Sequence, residues 1–108
     1  MTESMLEHLK KALSALTEYC YHYVADPNST PPYITWMEDG GNDLSADDLH
    51  AERCYTGSAH LFTKVEEDPL FSAIPAALEG IGASWYLNSV QYEEDTGLIH
   101  YEWYWEVI

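Results

Sequence analysis

Leu98-Ile-His-Tyr-Glu-Trp-Tyr-Trp-Glu-Val107 is the stretch that decides the fold. In an extended chain Ile99, Tyr101, Trp103, Trp105 and Val107 face one way, and His100, Glu102, Tyr104 and Glu106 face the other. Period-two alternation of this kind belongs to an antiparallel sheet with one wetter face. It assigns Trp103 and Trp105 to a core. Residues 84–92 read as a preceding strand, and Glu93-Glu-Asp-Thr-Gly97 joins the two as a hairpin.

Upstream, Asp68-Pro69 reads as an N-cap followed by proline at the first helical position. Leu70, Phe71, Ile74, Ala77, Leu78 and Ile81 keep helical spacing. Pro75 predicts either a kink or a break there, since an interior proline costs a helix about 3 kcal/mol. Gly80 and Gly82 are C-cap candidates. Residues 52–65 read as a long strand, with Tyr55, Gly57, Ala59, Leu61 and Val65 on one face. Cys54, Thr56, Ser58, His60 and Phe62 occupy the other face. A shorter strand, Tyr33-Ile-Thr-Trp-Met-Glu38, is expected to end in a turn at Asp39-Gly-Gly-Asn-Asp43, with an exposed polar loop running on through Asp48.

Residues 3–24 read as an amphipathic helix, because Leu6, Leu9, Leu13, Leu16, Cys20 and Tyr23 recur at spacings of three and four. Ser4 and Glu7 fit a capping box. Asp26-Pro27 closes the helix, and residues 25–32 connect it to the next strand, held extended at Pro31-Pro32. The resulting order is α-β-β-α-β-β. It predicts an α+β fold in which an antiparallel sheet of about four strands carries two helices on one face. The length of 108 residues fits one domain, 1–108.

Composition narrows the function. Four Lys and Arg stand against 19 Asp and Glu, a net charge of −15. Nucleic-acid binding rests on neutralising phosphates with Lys and Arg, so nucleic acid is not an expected partner. An anionic membrane is disfavoured on the same ground. The charge favours solubility and a partner with a basic contact surface. An aromatic content of 14% argues against the disorder that acidic chains often show. The opening Met-Thr-Glu-Ser has no basic leader, and no apolar run approaches the roughly 20 residues of a membrane span. A cytoplasmic product is expected, with Cys20 and Cys54 as reduced core thiols.

The candidate chemistry is thin. His50-Ala-Glu52 and His100-Tyr-Glu102 pair potential ligands, and on a strand His100 and Glu102 share a face. Two ligands do not make a site, and a half-exposed polar strand face accounts for them. There is no nucleophile elbow, and Gly40-Gly41 lacks the Lys and Ser/Thr of a phosphate loop. Asp47-Asp48, Glu66-Glu67 and Glu93-Glu94-Asp95 fall in turns, where carboxylates are solvated rather than paired in a cleft. The run from Asp39 to Glu52 lacks the register of a calcium loop. Trp85, Tyr101, Trp103 and Trp105 could stack a ligand, but alternate positions mark them as core or as a subunit interface. No catalytic, metal or cofactor residue is assigned.

From about Pro32 to Ile108 the order of segments resembles the small tail-completion proteins of phages and prophages. The likeness is carried by Pro32-Tyr33-Ile34 opening a strand, an Asp/Asn-rich loop running into Leu44-Ser-Ala-Asp47, and a long strand ending Leu61-Phe-Thr-Lys64. It continues with a helix from Asp68-Pro69 and the hairpin ending Tyr101-Glu-Trp-Tyr-Trp-Glu-Val107. The aromatic density of that last strand and the acidic charge depart from the family's pattern. The resemblance implies a non-enzymatic tail terminator or head–tail joining protein that forms a homo-oligomeric ring on a tail-tube or head-connector protein. It would be made in the bacterial host cytoplasm and end in the virion tail. Exposed strand edges and an acidic loop containing Asp39, Asn42, Asp43, Asp47 and Asp48 would then make the contacts, with residues 40–50 ordering on assembly. The charge alone permits a rival, an acidic mimic of DNA that inhibits a DNA-binding protein.

Overall fold

The computed structural model describes residues 4–43 and 53–107. Its elements are α1 (Met5–Ser14), β1 (Cys20–His22), β2 (Tyr33–Asp43), β3 (Arg53–Thr63), α2 (Leu70–Gly80), β4 (Ser84–Glu93) and β5 (Leu98–Val107). The α+β class holds. The sheet, however, has five strands rather than about four, in the order β1-β2-β3-β5-β4. The element order is accordingly α-β-β-β-α-β-β, and the additional strand β1 runs parallel to β2, so the sheet is mixed.

The error lies at the N-terminus. Ser4 does cap α1, accepting the Glu7 amide at 3.2 Å, and Leu9 and Leu13 are buried as their spacing requires. The helix nevertheless stops at Ser14 and does not reach residue 24. The Thr17 hydroxyl takes the Tyr19 amide at 3.1 Å, a local bond that competes with helix. The aromatic run Tyr19-Cys-Tyr-His-Tyr23 then suits a strand better. Its backbone docks on β2: the Tyr19 carbonyl accepts from Ile34 N–H, and Tyr23 N–H donates to the Trp36 carbonyl, each at 2.8 Å. Cys20 therefore lies on a strand, as a free thiol packed against the core.

The turn expected at Asp39–Asp43 is also absent. β2 continues through it to Asp43, and the register with β3 shifts between Glu38 and Gly40. Asp39 is the extra residue of a β-bulge, which absorbs the irregularity without ending the strand.

The helices cover one face of the sheet, and register explains how that face is filled. Trp36 of β2, Ala59 of β3 and Trp103 of β5 lie side by side, as do Glu38, Gly57 and Trp105. The central strand thus supplies small residues, Ala59 between two indoles and Gly57 beside one, the alternation of large and small that lets layers interdigitate. Trp103 is 1% exposed. Leu9 and Leu13 of α1, Ile74 and Leu78 of α2, and Ile34, Leu61 and Val107 of the sheet complete the cluster.

α2 starts where Asp68-Pro69 predicted. Asp68 Oδ1 accepts the Leu70 amide at 2.8 Å, while Oδ2 accepts the Thr63 hydroxyl at 2.7 Å, tying the end of β3 to the start of the helix. Pro75 sits inside one helix that continues to Gly80. Gly82 takes a φ of 82°, and the following Ala83 amide returns to the Leu78 carbonyl at 2.9 Å, closing the helix as expected. The β4–β5 hairpin follows the sequence reading within a residue.

Candidate functional site

The acidic cluster expected to bind a partner is only partly in view. Asp39 is at the β2 bulge, where Oδ1 accepts the Thr56 hydroxyl at 2.8 Å. Asn42 and Asp43 continue β2 opposite Cys54 and Arg53, so they belong to a strand and not to the predicted loop. Asp47 and Asp48 lie outside the described residues, as do His50, Glu52 and the 44–50 part of the segment expected to be mobile.

The aromatic strand residues proposed as a stacking platform are core: Trp103 and Trp105 are buried, and Trp85 and Tyr101 pack partly buried against them.

The face away from the helices carries a polar chain. Register places Tyr33, Phe62, His100 and Gln91 in one row, and Thr35, His60, Glu102 and Ser89 in the next. Ser58 Oγ lies 2.9 Å from His60 Nε2, and His60 Nδ1 lies 2.8 Å from His100 Nε2. Glu102 is 3.7 Å from His60, and Glu93 is 3.7 Å from His100. Burial pushes the His60 imidazole below its usual pKa, with repulsion from His100 adding to it and Glu102 opposing. Burial does the same to His100, against the pull of Glu93 and Glu102. The sequence had joined His100 to Glu102; the fold adds His60, forty residues away and invisible to local pattern. Ser58 is 6% exposed, so its hydroxyl is not presented to a substrate, and the chain holds strands together. Among the described residues no group of three or more His, Cys, Asp or Glu side chains is placed to hold a metal ion. Among them, too, no helix is long and apolar enough to cross a membrane.

The strand edges expected to make contacts are β1 and β4, an assignment that the sequence alone does not make. Nine large apolar side chains are exposed among the described residues, and seven of them lie on β4 or within two residues of β1. These are Tyr86, Leu87, Val90 and Tyr92 on one edge, and Tyr19, Tyr23 and Val24 on the other. The β4 edge carries no acid before Glu93, whereas the β1 edge has Glu18 beside Tyr19 and Glu38 of β2 against His22 and Tyr23. Edge strands are ordinarily protected by charge; on the β4 side the carboxylates sit instead on the neighbouring β5, at Glu102 and Glu106. An apolar groove lined by Phe71, Ser72, Pro75, Trp85, Leu87 and Trp103 continues the β4 edge towards α2. The missing charge of residues 84–92 was readable in the sequence, but that this strand is an edge was not.

No family model and no curated protein matches the chain. Among solved structures, a chain of the virion of a native gene transfer agent (GTA) particle is similar over 95% of this chain and 89% of its own. The two are 11% identical, with a TM-score of 0.48.

Proposed function

We propose that this protein is a structural virion-assembly protein of a phage or prophage tail, a tail terminator or head–tail joining protein, that acts by ring formation and protein–protein contact. The observation that carries the reading is the gathering of exposed apolar side chains on two opposite sheet edges. Apolar patches of this kind mark interaction surfaces. Contacts at opposite edges are heterologous, and a heterologous contact whose rotation closes generates a ring. The order of segments from Pro32 to Ile108 supports the same assignment. Asp39, Asn42, Asp43, Asp47 and Asp48 are the second contact, offered to a basic surface on the tail-tube or head-connector protein.

Charge makes the reading testable. At −15 per subunit, copies repel one another, and exposed charges are screened beyond about 8 Å at physiological ionic strength. Self-association through apolar edges is therefore weak at low salt and strengthens as salt rises. Docking on a basic partner has the opposite trend. Sedimentation of the isolated protein over a series of salt and protein concentrations separates these. The expected result is a monomer in dilute low-salt solution that associates as salt increases. A protein that stays monomeric throughout, yet captures a purified DNA-binding protein, is instead the DNA mimic.

A further inference from the structure

We infer that the His60–His100 bridge is a one-proton latch on the open face of the sheet: it stays closed when the pair takes up one proton and parts when it takes up a second. The inference does not depend on the assembly reading.

The geometry sets the proton count. His60 Nδ1 and His100 Nε2 lie 2.8 Å apart, so the gap between them holds one hydrogen, donated by one ring and accepted by the other. Each of the two outer ring nitrogens has a carboxylate near it. His60 Nε2 is 3.7 Å from Glu102, and His100 Nδ1 is 3.7 Å from Glu93. His60 Nε2 also has the Ser58 hydroxyl at 2.9 Å. Two neutral rings carry one N–H each. One of these fills the bridge, so one outer nitrogen lacks a hydrogen. An added proton goes to that nitrogen, and both carboxylates then face an N–H while the bridge is kept. A second added proton has no place left but the bridge itself, where two N–H groups would oppose each other across 2.8 Å. The rings must then separate.

The surroundings resist the second charge. Among the described residues, the titratable groups facing the pair are Glu102 of β5, Glu93 of β4, Tyr33 of β2 and Tyr23 just after β1. Burial and then Glu93 push the Tyr33 hydroxyl above its usual pKa, and the hydrogen bond to Glu38 does the same for Tyr23, so both are neutral where histidine titrates. Glu102 is shared, because its Oε1 also accepts from Asn88 Nδ2 at 2.9 Å and from the Ser89 hydroxyl at 3.4 Å. The ring centroids are 5.0 Å apart, so a charge on one ring opposes a charge on the other. Burial disfavours charge on both.

Opening is local, since the backbone pairing of β3 with β5 does not pass through these side chains. The two imidazoles border a hollow of about 280 Å³ that Tyr23, Tyr33, Thr35 and Phe62 also line. Phe62 stacks on His100 at 4.2 Å and on Tyr33 at 4.9 Å. Parting the bridge therefore changes both the shape and the charge of this hollow in acid.

An NMR titration of the imidazole and Phe62 ring signals of the full chain tests the latch. It is run at low salt from about pH 8 to about pH 4, a range that brackets histidine. The expected result is two protonation steps separated by more than about one pH unit, which is a tenfold or greater difference in proton affinity. The Phe62 signals are expected to move with the second step and not with the first. In His60→Gln, His100 is expected to titrate in one step, at a higher pH than the second step of the wild type. If a thermal melt shows that His60→Gln does not fold, His100→Gln with His60 observed replaces it. Two imidazoles that titrate together, Phe62 signals that follow the first step, or a remaining histidine that titrates no higher than the wild type's second step would overturn the inference. Any of these removes the latch and leaves the assembly reading standing.

Discussion

Gly57→Ala separates a glycine kept for space from a glycine that is merely tolerated. Gly57 lies on the central strand β3 in ordinary extended conformation, opposite Glu38 on one side and Trp105 on the other. Where backbone freedom and space both allow it, replacing a strand glycine by alanine gains roughly 0.5–1 kcal/mol. Here a Cβ would meet the Met37 carbonyl oxygen at 2.0 Å, Trp105 Cζ2 at 2.4 Å and Glu38 Cα at 2.9 Å. Two of those three atoms are backbone beside the β2 bulge, and the third belongs to a buried indole. Overpacking a core costs about 1–3 kcal/mol, and the backbone neighbours place this site at the upper end. At about 4 °C per kcal/mol for a domain of this size, the melting temperature should fall by roughly 8–12 °C. Thermal denaturation followed by circular dichroism reads the change. A variant that melts at or above wild type refutes the packing of Trp105 over Gly57, and with it the register of the core rows.

Trp103→Ala empties the most completely buried indole and should cost about 3–5 kcal/mol, seen as a lower denaturation midpoint in urea; a midpoint near wild type would return that face to solvent. Asp68→Ala removes the acceptor of both Leu70 N–H and the Thr63 hydroxyl, and should cost about 1–2 kcal/mol in the same assay. His60 and His100 have folded pKa values below the usual 6.5. The unfolded chain therefore takes protons first, so their contribution is complete above about pH 6.5 and is lost as pH falls through the folded values. The melting temperature should drop between pH 7.5 and 5, and the drop should be smaller in His60→Gln; identical pH profiles for the two proteins would contradict the coupling.

The parts of the fold that were legible are those whose signal is local. The hairpin was readable because Trp103 and Trp105 alternate with Glu102, Tyr104 and Glu106 within one strand. The start of α2 was readable because Asp68-Pro69 acts on the next two residues. β1 was misread because Leu16, Cys20 and Tyr23 prolong a helical spacing by chance, while the hydrogen bonds that settle the matter run to Ile34 and Trp36. Asp39-Gly-Gly-Asn-Asp43 has turn composition, yet pairing with β3 draws it into a bulged strand. Of the candidate contact residues, Asp39, Asn42 and Asp43 lie on β2 and not in the loop expected from their composition, and Asp47 and Asp48 lie outside the described residues. Exposed strand edges were expected to make contacts, but which strands are edges is defined by which of them lacks a neighbour. That property depends on β3 pairing with β5 across some forty residues, and nothing in either strand's own sequence announces it.

Amide hydrogen exchange, compared between dilute low-salt protein and the high-salt assembly, tests most directly whether the sheet edges make the contacts. The account predicts added protection in β4, within residues 84–92, and in residues 20–24, with β3 and β5 unchanged because they are already paired on both sides. Protection that appears instead along α1, or an assembly that protects neither edge strand, would contradict it.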